Sequence, residues 1–107
     1  MLTDNQTVYK TKIIELNQGD NGLKIRISKK ILEDIDAKPF DRFTLSRNPE
    51  TGDIIFTKNI EGNFKLKRDG AIYVPYILHE KRWILANKTA ILFSSKKEGK
   101  IILKFIN

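Results

Sequence analysis

Eight side chains of this 107-residue sequence have the type and spacing to hold a polyanion. Lys10 and Lys12 share one face of an extended segment, and Lys24 and Arg26 share one face of the next. Lys65, Lys67, Arg68 and Tyr73 hold comparable places in the second half. On a two-stranded ribbon, lysine and arginine reach phosphate oxygens, and the arginine fork also fits a guanine edge. For any one lysine, a solvated strand face is an equally good account. The charge distribution favours the group as a whole. Residues 1–53 carry nine Lys and Arg against nine Asp and Glu, whereas residues 54–107 carry eleven against four. The second half therefore supplies the whole net charge of +7, which points to a polyanion-facing surface.

Other chemistry is thinly provided for. Cysteine is absent, and the single His79 rules out a multi-histidine metal or hydrolase site within one chain. Glu33, Asp34 and Asp36 cluster late in a short helical stretch, where a solvated face is a better account than a metal site. Trp83, beside Ile84 and Leu85, reads as core rather than as a stacking platform. A partly buried or surface role suits His79 better than catalysis. Lys81-Arg82, Lys96-Lys97 and Lys100 either extend the basic surface or sit on plain solvated turns. No phosphate-loop, dinucleotide or nucleophile-elbow pattern occurs, so neither an enzyme nor a cofactor is expected. Apolar runs of a few residues, such as Ala90–Phe93 and Ile101–Leu103, are too short to span a membrane as helices. The polar residues 1–6 do not resemble a signal peptide, so a cytoplasmic location is expected.

The elements that would carry these residues repeat. At an offset of 47, Ile25 falls on Ile72, Ile27 on Val74, Ile31 on Leu78 and Leu45 on Leu92. Gly52 falls on Gly99, and Ile54-Ile55-Phe56 on Ile101-Ile102-Leu103. Each unit reads as strand, strand, short helix, strand, strand. In the first, a strand over 8–16 leads through a loop at 17–22 into a strand over 23–27. Ser28 caps a helix from Lys29 to about Asp36, Pro39 ends it, and a hairpin turns through 48–53. In the second, Arg68-Asp69-Gly70 forms a tight hairpin, Pro75 opens a short helix, and a hairpin closes through 96–99. A unit of this length cannot bury its apolar face alone, so one domain over 1–107, built of repeats at about 8–59 and 60–107, is expected.

Two segments carry a resemblance. Asn21 to Leu32 resembles the MazE-type step of turn, apolar–Arg–Ile and short helix, with Ser28 where that family usually has proline. Gly70-Ala71-Ile72-Tyr73-Val74-Pro75 looks like the AbrB-type step and keeps the proline. Asp41 matches the family's Gly-Asp position after the helix, while Phe40 replaces the glycine and Lys88 the second aspartate. The chain thus resembles AbrB/MazE swapped-hairpin DNA-binding domains, in tandem as in MraZ-like proteins. That resemblance implies a mainly β fold with short helices, a swapped-hairpin barrel built as a single-chain pseudo-dimer. It also implies a transcription regulator on double-stranded DNA, as a monomer or homodimer, with Arg26 among the presented positions. The alternative is a protein-interaction module on the same fold, antitoxin-like or an inhibitor of a host factor. Family antitoxins add an acidic C-terminal segment, and this sequence ends on strand residues, which weighs against that role.

Overall fold

The computed structural model describes residues 7–16 and 22–106. It is mainly β, with a curled half-barrel sheet and two short helices. In chain order the elements are β1 (Val8–Lys12), β2 (Ile14–Leu16), β3 (Gly22–Arg26), α1 (Lys29–Asp34), β4 (Arg42–Arg47) and β5 (Ile54–Lys58). There follow β6 (Phe64–Lys65), β7 (Ala71–Pro75), α2 (Ile77–Glu80), β8 (Thr89–Ser95) and β9 (Lys100–Phe105). Six strands form one sheet in the order β1-β8-β9-β5-β4-β6, and three form another in the order β2-β3-β7, all antiparallel. Phe43, Phe56, Ile54, Leu92 and Ile101 from the larger sheet and Leu23, Ile25 and Ile72 from the smaller are fully buried. They belong to one core cluster.

The expected strand over 8–16 is two strands with a crossing point between them. Val8–Lys12 pairs with β8, whereas Ile14–Leu16 pairs with β3. Ile13, fully buried, donates its N–H to the Lys88 carbonyl at 2.9 Å and accepts from Asn87 N–H at 2.8 Å. Leu66 does the same for the second half. Its N–H reaches the Asp41 carbonyl at 2.9 Å, and its carbonyl accepts from Phe40 N–H at 2.7 Å. Of the loop expected at 17–22, residues 17–21 lie outside the described residues, and Gly22 already belongs to β3.

The first helix stops earlier than the sequence suggests, and both helices end for the same backbone reason. Ser28 caps α1 by accepting from Lys30 N–H at 3.2 Å. The helix ends at Asp34 rather than near Asp36 or Pro39, because Asp36 turns left-handed at φ 55°. Asp36 N–H then reaches the Glu33 carbonyl and Ala37 N–H the Leu32 carbonyl, the pairing of a Schellman motif. Arg82, at φ 64°, closes α2 the same way, with its N–H on His79 and that of Trp83 on Leu78. Pro75 is the last residue of β7 and does not open α2, which starts at Ile77.

Positions 47 apart meet in this structure. In the β3–β7 ladder Ile25 pairs with Ile72, and in the β5–β9 ladder Ile55 pairs with Ile102. Left-handed backbone recurs at the same offset, at Phe40 and Asn87 and at Gly52 and Gly99. Pairing also crosses between the halves at the edges, where β1 joins β8 and β6 joins β4.

A polar clasp ties the first strand region to α1. Asp34 accepts hydrogen bonds from the hydroxyls of Thr7 and of buried Ser94, the latter at 2.8 Å. These two bonds, Thr7's foremost, hold the Asp34 carboxyl below the ordinary 3.8, against a smaller opposing effect of burial and with help from Lys96 and Lys30. A carboxyl depressed in the folded state stabilises above its unfolded pKa, and that stability is lost as pH falls through the folded value. Asp34→Ala is therefore expected to cost about 1–3 kcal/mol at pH 7, since it strands the Ser94 hydroxyl. The gap between wild type and variant should begin to narrow near the unfolded carboxyl's pKa of about 4 and close further as pH falls through the lower folded value. Urea denaturation of both proteins at pH 7 and pH 3 checks this; an equal gap at the two values would exclude the charge as the cause.

Candidate nucleic-acid interface

The smaller sheet turns alternate residues outward, which is how it collects candidate side chains. In β3, Leu23 and Ile25 point into the core, so Lys24 and Arg26 point away from it. In β7, Ile72 and Val74 are buried, so Tyr73 faces outward and sits opposite Lys24. The Lys24 ammonium lies 5.8 Å from the Tyr73 ring centre, and the Lys67 ammonium 5.9 Å from it. Arg26, opposite Ala71, and Arg68, at the turn, are exposed. The Arg68 guanidinium lies 5.7 Å from the ring centre of Phe40. An open concavity of about 1000 Å³ borders Tyr73, Lys67 and Pro75. A second, of about 590 Å³, borders Arg26 and Lys29, and Arg68 and Asp69 line both.

Five of the eight expected residues thus come together: Lys24, Arg26, Lys67, Arg68 and Tyr73. The other three do not. Lys10 and Lys12 lie outward on β1, opposite Ile91 and Thr89, and Lys65 lies outward on β6, opposite Arg42. They line the two edges of the larger sheet. Leu66 separates Lys65 from Lys67 as Ile13 separates Lys12 from Ile14. Lys12 and Lys65 are themselves matched, since the first faces Thr89 and the second faces Arg42, 47 residues earlier.

The electrostatics single out three of the five. Lys24 is bound at 3.3 Å by Asp69, a partner that sequence reasoning passed over. Burial works to raise the Asp69 pKa. The Lys24 hydrogen bond, the Ala71 N–H and the charges of Lys24 and Arg26 outweigh it and hold the carboxyl below 3.8. An acidic residue at the tip of a hairpin beside lysine-bearing strands was the available signal. Arg26, Lys67 and Arg68 form no ion pair among the described residues, so their charge is available to a polyanion. The ribbon and its turn thus offer three cations outside any ion pair among the described residues, with Lys67 over Tyr73 and Arg68 over Phe40.

The remaining expectations fall as follows. Trp83 packs against the core yet stays half-buried, with Arg47 and Lys81 at 5.8 and 5.6 Å from its ring centre. His79 is half-buried and accepts from Ala86 N–H through Nδ1 at 3.0 Å, a structural role. Glu33, Asp34 and Asp36 do not converge: among the described residues no group of three or more His, Asp or Glu could hold a metal ion. No helix among the described residues is long and apolar enough to cross a membrane. No family model, curated protein or solved structure matches the chain.

Proposed function

We propose that the chain is a DNA-binding transcription regulator of the swapped-hairpin kind, in which one chain does the work of a dimer. The reading rests first on the β3–β7 ribbon, where Lys67 lies over the Tyr73 ring, Arg26 faces outward on β3, and Arg68 stands at the turn over Phe40. Phosphates would be met by Lys67 and Arg68, and a guanine edge by the bidentate fork of Arg26. The swapped-hairpin description draws support from the crossed strand pairs β1–β8 and β4–β6 and from the matched pairs Ile25·Ile72 and Ile55·Ile102.

The ribbon is not symmetric. Arg26 corresponds to Tyr73 and Lys24 to Ala71, so the two halves present different chemistry to a duplex. A single chain is therefore a reader of a non-palindromic site.

The experiment is duplex binding by gel shift across a salt series. Affinity should fall steeply with salt as phosphate contacts release counterions. Replacing Arg26, Lys67 and Arg68 together by alanine should weaken low-salt binding by more than about tenfold, whereas replacing Lys29 and Lys30 should do less. Salt-independent affinity, or none for any duplex, would dispose of this function.

A further inference from the structure

Antiparallel sheets with one wet face alternate apolar and polar residues, whereas strands buried on both faces read as continuous apolar runs. The three central strands on one side of the larger sheet are of the second kind: Ile54-Ile55-Phe56, Ala90-Ile91-Leu92-Phe93 and Ile101-Ile102-Leu103. One set of these residues fills the core, among them Ile54, Phe56, Leu92, Ile101 and Leu103. The other set faces outward in register. Val8 lies opposite Phe93, Phe93 opposite Ile102, and Ile102 opposite Ile55. An apolar row thus crosses four neighbouring strands, with Ile91 beside it. Val8 is 56% exposed and the others are half-buried. Both helices send their buried residues, Ile31 and Leu78, into the core and leave this row open.

The charge that the strands themselves place around the row has one sign. The same outward face carries Lys10, Lys12, Arg42 and Lys65, which form no ion pair among the described residues, and Lys100 and Lys104, which pair with Glu98 at 2.7 Å and Asp53 at 3.8 Å in adjoining turns; no acidic residue lies on it within the strands. We propose that this face docks a partner protein through an acidic amphipathic helix, whose apolar ridge lies along Val8, Phe93, Ile102 and Ile55 and whose carboxylates meet the bordering lysines. The dimensions suit such a ridge. Four strands at about 4.8 Å spacing span roughly 14 Å, the length of about ten helical residues. A second copy of the chain is the poorer occupant, because it would bring +7 against +7 and lysine against lysine. Duplex DNA is poorer too, because it presents no apolar ridge to cover four side chains. This surface is separate from the ribbon face around Tyr73, so the two assignments stand or fall apart.

The probe is a labelled 20-residue helical peptide with a leucine stripe bordered by glutamates, compared by fluorescence anisotropy with the same peptide bearing lysines instead. The glutamate peptide should bind, weaken as salt rises, and bind at least about tenfold more tightly than the lysine peptide. The double variant Phe93→Ser, Ile102→Thr should lose at least about tenfold in peptide affinity while keeping wild-type duplex affinity. If that variant shows an altered thermal transition, Val8→Thr, on an exposed edge position, should still weaken the peptide severalfold. Absence of glutamate-peptide binding, or equal binding by variant and wild type, would overturn the assignment. So would sedimentation of the unmutated chain as a dimer that the double variant dissolves, which would make the second copy the occupant. Loss of duplex affinity in a folded double variant would give the face to DNA instead.

Discussion

A fragment of residues 60–107 made alone is expected to show no cooperative unfolding as a monomer, and neither is residues 1–59. The reason lies in which strands pair. Four ladders, β1–β8, β3–β7, β4–β6 and β5–β9, join one half to the other. Among the described residues only β2–β3, β4–β5 and β8–β9 lie within a half. The isolated second half would keep β8–β9 and the bridge between Leu66 and Ile72, while Ile72, Ile101 and Leu103 lost the strands that cover them. A chain of about 50 residues buries too small a share of its surface to offset chain entropy with such a remnant. The two fragments mixed should recover folding together, as complementary halves of one core. Circular dichroism during urea titration, with sedimentation to give the mass, decides it. Cooperative unfolding of the 60–107 fragment at monomer mass would mean that the halves are independent. A fragment that folds only as its own dimer would fit the interleaved pairing.

That arrangement was largely legible from alternation and turn chemistry. Period-two patterning sets Leu23 and Ile25 against Lys24 and Arg26, and the repeat carries the pattern to Ile72 and Val74; all four apolar residues are buried. Asp69-Gly70 closes a tight turn, with Lys67 N–H reaching the Ala71 carbonyl. The register at 47 aligned residues that prove to face each other. What escaped was the place where a strand changes sheets. Alternation puts Lys65 and Lys67 on one face because they share parity, but Leu66 is a crossing point held by Asp41 and Phe40. No periodicity marks such a point: a buried Leu or Ile looks the same whether the strand continues or leaves the sheet. For that reason spacing groups the eight residues by hairpin, whereas the fold divides them by sheet, with Lys10, Lys12 and Lys65 at the edges of the larger one. Helix ends escaped for a related reason. Glycine is the usual left-handed residue after a helix, whereas here Asp36 and Arg82 adopt that backbone, and their side chains give no such signal. Asp69 was visible as a turn residue but not as the partner that takes up the Lys24 charge.

The segment joining the halves looks like a plain connection in sequence, yet a single methyl group at Gly62 is expected to disrupt the fold. Asn59-Ile60-Glu61-Gly62 folds back along β4, with Asn59 N–H on the Arg42 carbonyl and Gly62 N–H on the Asn59 carbonyl, both at 2.9 Å. Arg42 in turn donates to the Gly62 carbonyl at 3.3 Å. The close approach leaves no room. A Cβ at Gly62 would overlap the carbonyl carbon and oxygen of Phe43 and lie 2.7 Å from its amide nitrogen. Backbone atoms cannot swing aside as a flexible side chain can. Relief would have to come from parting the connection from β4, and Phe43 is fully buried in the core with Phe64 of β6 opposite it. Gly62→Ala is therefore expected to cost about 3 kcal/mol or more, the upper part of the range for overpacked sites. Gly22→Ala is the matched control. Its Cβ would meet the Val74 carbonyl oxygen at 3.1 Å and the Leu16 side chain at 3.6 Å, a contact relieved by a shift of a few tenths of an ångström. That variant should cost about 1 kcal/mol or less. Urea midpoints of the two variants at equal m-value measure the difference, and equal destabilisation would show that the 59–62 connection yields where the geometry says it cannot.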